Sequence, residues 1–123
     1  MWYCAHAIFY FELKVGNSDS ILVHENVYLI QADDEKYAME KALNIAKSNE
    51  DLNEGGHLEL NEKPVRYLFS GIRKLIEVGN HDKSDSNVVE SGVEITYSEF
   101  EVDDMAEVEN LGKGCFSNVL YRE

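Results

Sequence analysis

The stretch "WYCAHAIFYFEL" (residues 2–13) decides the fold. Tyr3, Ala5, Ala7, Phe9, Phe11 and Leu13 point one way, and every one of them is apolar. Trp2, Cys4, His6, Ile8, Tyr10, Glu12 and Lys14 point the other way. A period of two is a β-strand, and its first set must face the core. The second set stays rather apolar as far as Glu12, so part of that face is expected to be covered too, by a partner or a second subunit. The same stretch alternates and ends in a charge. It therefore reads as a strand rather than a signal peptide, and the expected location is cytoplasmic.

Working outward, "VGNSDS" (15–20) has turn composition and "ILVHENVYLIQA" (21–32) is a second long strand, which makes a β-hairpin. "ADDEKYAMEKALNIAKSN" (32–49) is the clearest helix. Asp33 is the expected N-cap, with Asp34 and Glu35 in the first turn, where the helix dipole favours carboxylates. Ala38, Ala42, Ile45 and Ala46 recur at the helical period and form a narrow face. Small residues there, with Ala5 and Ala7 on the first strand, allow helix and sheet to approach closely.

Further along, "HLEL" (57–60) is a short strand and "VRYLFSGIRKLIEV" (65–78) a long one, with a bulge expected at Gly71. Residues 79–91 are polar and turn-rich, as in a mobile loop. "GVEITYSEFEV" (92–102) is a further strand with an apolar inner face. "DDMAEVENLG" is a short helix ended by Gly112 at C′, and residues 115–123 form a last strand. The expected fold is α+β: an antiparallel sheet in the order β-β-α-β-β-α-β, with two helices mainly on one face, in a single domain over residues 1–123.

Composition narrows the function classes. The chain has 123 residues and a formal net charge of −13. Such a surface repels phosphates, so direct nucleic-acid binding is disfavoured, whereas a cationic protein partner is attracted. No apolar run reaches the length of a membrane span. Cys4 and Cys115 are expected as buried, unpaired thiols.

Motifs for chemistry are missing. No cysteine pair has metal-ligand spacing, and H-E-x-x-H, a phosphate loop and G-x-S-x-G do not occur. His6 and His24 lie on strands expected to pair. With the turn near residue 17 or 18, His24 falls opposite residue 11, and His6 is roughly 17 Å further along the strand. They cannot share a metal, so both are read as structural. His57 and His81 sit in or beside loops. Ser70, Ser98 and Cys115 have no histidine at a recognisable spacing. No catalytic, metal or cofactor site is therefore expected, and no enzyme activity.

Charge is what remains. Arg66, Arg73 and Lys74 fall on the middle strand, whereas residues 82–109 hold ten Asp or Glu against one Lys. Asp104 and Glu107 fit a D-x-x-E cap for the short helix. Glu99, Glu101, Asp103 and Glu109 are left as a surface complementary to Arg and Lys, with Asp82, Asp85 and Glu90 in the preceding loop.

Five motifs, "WYCA" (2–5), "ADDEKYAMEKA" (32–42), "VRYLFSGI" (65–72), "GVEITYSEFEV" (92–102) and "FSNVLYRE" (116–123), together resemble a family of small bacterial proteins of unknown function. Its members open with W-Y-x-A and carry a V-R-(Y/W)-x-F-x-G strand. Thr96 stands here where the last strand motif has its tyrosine. The resemblance brings no catalytic residues with it. By type, a small acidic domain without a site is similar to the bacterial toxin-immunity proteins of contact-dependent growth inhibition. That likeness implies binding and neutralisation of a cationic, nuclease-like toxin domain by occlusion. The alternatives are a nucleic-acid-mimicking acidic regulator, a small-molecule or enzymatic domain using the Trp2/Cys4/His6 face, and a homodimer across that face.

Overall fold

Strand β1 (Trp2–Leu13) is the centre of the molecule. It pairs antiparallel with β2 (Val23–Gln31) on one side and with β4 (Lys63–Val78) on the other. A two-residue strand, β3 (Glu59–Leu60), extends the far edge, so the sheet runs β2-β1-β4-β3. These elements come from a computed structural model that describes residues 1–16, 20–79, 89–97, 99–115 and 117–122.

One face of β1 is closed by helix α1 (Glu35–Ser48). Tyr3 and Ala5 cluster with Ile30, Ala32, Ala38 and Ala42. Ala7 and Phe9 cluster with Ala46. Methyl-sized side chains on both surfaces bring the helix axis close to the sheet, and the larger Tyr28, Ile72 and Leu75 fill the margins. Ile45, expected on the buried face, sits at its edge and stays exposed. The N-cap is Asp34 rather than Asp33: its carboxylate accepts from Tyr37 N–H at 2.9 Å. Beyond the helix, Phe9 stacks flat on Tyr67, with ring centroids 4.7 Å apart.

The β1–β2 ladder runs without interruption, but the β1–β4 ladder slips twice. Ile8 faces Gly71 and Phe9 faces Phe69, which places a bulge at Ser70–Gly71. The second slip, unexpected from sequence, lies between His6↔Lys74 and Ala7↔Ile72 and makes Arg73 the extra residue. A bulge bends the strand and re-aims side chains, with consequences described below.

The C-terminal elements depart from a single sheet. β5 is three residues (Glu99–Glu101) and pairs with β6 (Leu120–Arg122) as a separate two-stranded ladder. Among the described residues of the strand expected over 92–102, pairing is confined to Glu99–Glu101, and residues 93–97 are irregular. Helix α2 (Met105–Gly112) is capped by Asp104, which accepts from Glu107 N–H at 3.0 Å. Glu107 does not complete a reciprocal box; its carboxylate accepts from the Ser117 hydroxyl. Gly112 is the last helical residue, and the positive-φ position after the helix is Gly114. α2 buries none of its residues and, among the described residues, packs on neither the sheet nor α1. Only α1 therefore covers the expected helical face. Cys4 and Cys115 are both unpaired, but Cys115 is exposed rather than buried.

Candidate functional site

The face of β1 turned away from α1 holds the least expected arrangement. His6 is 3 % exposed and bonds at both ring nitrogens. Nδ1 meets Glu25 Oε1 on β2, and Nε2 lies 2.8 Å from Thr96 Oγ1. Arg73, the bulge residue of β4, grips the same carboxylate, with Nε 2.9 Å from Oε2 and Nη2 3.0 Å from Oε1. Next to it Lys74 Nζ donates to the Tyr97 carbonyl and stands 5.1 Å from that ring's centroid. Two strands and the 93–97 segment thus meet on one buried imidazole.

The local sequence explains the placement. The hairpin register sets Ile8 opposite Glu25 and Val27 opposite His6, so His6 and Glu25 are diagonal neighbours on one face. Arg73 reaches across β1 because the bulge turns it onto that face. The Arg73 fork and, less strongly, the His6 hydrogen bond hold the Glu25 carboxyl below the ordinary carboxylate range against the opposing effect of partial burial. Cys4, next to His6 on the same face, is 1 % exposed, and burial raises its thiol pKa.

The tautomer that satisfies every group carries its proton on Nδ1, donates to Glu25 and accepts from the Thr96 hydroxyl at Nε2. That is the bond order of a hydroxyl–imidazole–carboxylate relay. Here, though, the carboxylate is already committed to a bidentate arginine. Met1, Gln31, Ala32, Asp33, Tyr37 and Lys41 line a cavity to which His6, Glu25, Arg73 and Thr96 do not contribute. Through the His6–Thr96 hydrogen bond the cluster ties residues 93–97 to the sheet.

The other histidines lie apart from it. His24 pairs opposite Phe9, two residues from the expected register, and its ring packs against Phe11 and Tyr67 on the α1 side. His57 Nε2 lies 2.7 Å from Asp51 Oδ2 in an exposed loop. Among the described residues no group of three or more His, Cys, Asp or Glu is arranged to hold a metal.

The acidic residues singled out from sequence lie at the opposite end of the chain. Glu99 and Glu101 are exposed on β5, Asp103 precedes the α2 cap, and Glu109 is exposed on α2. Phe100, expected to face the core between the two glutamates, is itself exposed. Glu90 is exposed as well, while Asp82, Asp85, His81 and Ser98 fall outside the described residues.

Residues 2–98 match the family model described as a domain of unknown function, DUF4288. The chain belongs to the DUF4288 family. The matched span includes β1 to β4, α1 and all four residues of the His6 cluster, and it ends just before Glu99. Among curated proteins and solved structures, neither comparison finds a match. No helix among the described residues of this DUF4288 member is long and apolar enough to cross a membrane.

Sequence reasoning set His6 aside as structural without finding its partners. The available signal was the single histidine of β1 and the single glutamate of β2, on two strands of one hairpin.

Proposed function

We propose that this DUF4288 protein is an immunity-type inhibitor that binds a cationic, nuclease-like toxin domain and blocks it by occlusion. One observation carries the reading. On β5 and α2, Phe100, Met105, Val108 and Leu111 are exposed among the exposed carboxylates Glu99, Glu101, Asp103 and Glu109. Apolar side chains ringed by one sign of charge suit a protein partner of the opposite sign. The sheet's arginines do not offset that field locally. Arg66 is paired with Glu12 at 3.1 Å and Arg73 with Glu25. A net charge of −13 would then speed encounter with a basic surface, and the apolar groups would slow dissociation.

Glu99, Glu101, Asp103 and Glu109 lie beyond the family match, which ends at residue 98. A shared scaffold with a partner-facing extension accords with an inhibitor tuned to one toxin. The test is protection. Cells making this chain should survive expression of a cationic nuclease toxin domain found encoded beside its gene, if the genome holds one there, and the purified chain should abolish that domain's activity at a one-to-one ratio. Survival without any direct complex, or no protection at all, would remove the reading.

A further inference from the structure

The sheet has two edges, and they are not alike. At one edge β3 is only two residues long, and Pro64 and Lys63 stand opposite it, all features that discourage further pairing. The other edge is β2, nine residues of VHENVYLIQ with no Lys, no Pro and no bulge in its ladder. Among the described residues its outer side carries no strand. Among them, too, its carbonyls are engaged on that side at one end alone, where Lys41 Nζ donates to Gln31 O at 2.6 Å.

This edge is also apolar and close to neutral. Ile21, Leu22 and Val23 are exposed at its entry, and Val27 and Leu29 are 46 % and 49 % exposed along it. Residues 21–32 contain one carboxylate, Glu25, and Arg73 matches its charge. On a protein of net charge −13, that is a place where a second copy can approach without facing carboxylates.

We infer that β2 pairs antiparallel with β2 of a second copy, joining two four-stranded sheets about a two-fold axis. The strand is self-complementary for such pairing. With the axis at Val27, Glu25 falls opposite Leu29, Val23 opposite Gln31, and Asn26 opposite Tyr28, so no like charges meet. Val27 meets its own copy, and Val27 and Leu29 lose the water that half covers them. The buried area is modest, which makes the dimer dependent on concentration. Salt should strengthen it, because screening weakens the mutual repulsion of two acidic subunits. A charge-steered toxin complex would respond to salt in the opposite direction, so the two associations are separable.

Sedimentation equilibrium of the full chain, from micromolar to millimolar protein at low and high salt, tests the inference. A monomer–dimer equilibrium is expected, tighter at high salt. Val27→Glu sets two carboxylates face to face across the axis and should weaken the dimer about tenfold or more. Amide exchange on the unaltered chain gives an independent reading: protection of β2 should rise with protein concentration while that of β4 does not. A monomer under all conditions would overturn the inference. So would a dimer that survives Val27→Glu in a folded protein, or exchange in β2 that ignores concentration.

Discussion

The two ends of the chain place their apolar side chains in opposite ways. In the sheet-and-α1 unit, Ala5, Ala7, Phe9, Ala38, Ala42 and Ala46 are fully buried. In the β5–α2–β6 unit, α2 buries nothing and Phe100, Met105, Val108 and Leu111 face outward among carboxylates. Both units carry amphipathic patterns, but only one has a second layer to close against. The difference teaches which residues govern what. Side chains of the first unit make the core, and those of the second are left exposed. The His6 cluster is the joint between them, because Thr96 and, next to it, the Tyr97 carbonyl are bonded to the sheet shortly before β5.

The sharpest way to break this comparison is to cut an equivalent apolar group from each unit. Phe9→Ala removes a ring that stacks on Tyr67 and contacts Phe69, and it should cost about 3–5 kcal/mol in urea unfolding. Val108→Ala on exposed α2 should stay within about 0.5 kcal/mol. Equal losses would mean that the second unit is a core after all.

A smaller effect probes the joint. His6→Ala leaves Glu25 and Thr96 short of a partner and should cost about 1–3 kcal/mol. Its distinguishing sign is local: amides of 93–97 should exchange faster, with α1 unchanged. A uniform loss of protection would make His6 an ordinary core residue.

The smallest effect is in pH. The folded-state pKa of Glu25 is depressed, so its contribution is fully present above the unfolded value, about 4.3. It is lost as pH falls below that, through the lower folded value. Glu25→Gln should therefore flatten the acid limb of stability without altering it near neutrality relative to its own baseline. An unchanged acid limb would show that the Arg73 fork does not hold the charge.

Much of the first unit was legible in sequence because period and turn chemistry are local. Strict alternation in 2–13 specified β1, and alanines at the helical spacing specified the face of α1. Gly71 marked one bulge. The second bulge, at Arg73, has no glycine or other local sign. The expected hairpin centre, near 17 or 18, set His24 two residues from its true partner. That error preserved which face each residue occupies but displaced the diagonal pairing of His6 with Glu25. Thr96 lies ninety positions from His6, and no local pattern joins them.

The second unit misled for a related reason. "GVEITYSEFEV" alternates like a strand, but a strand needs a neighbour, and among its described residues only Glu99–Glu101 has one, in β6. Phe100 therefore faces outward where alternation put it inward. The capping carboxylate Asp104 was readable because its partner, Glu107 N–H, is three residues away. Whether carboxylates meet a partner or water depends on a surface that is not in this chain.

The most direct test of the account is the association rate of this protein with a cationic toxin domain against which it protects cells, measured by stopped flow across a range of salt. The unaltered chain should associate quickly, with a rate that falls steeply as salt rises. Reversing Glu99 and Glu101 to Lys should slow association at low salt and flatten its salt dependence, with the unfolding midpoint unchanged. Equal rates and equal salt slopes for the two proteins would contradict the placement of the partner on the β5–α2 surface.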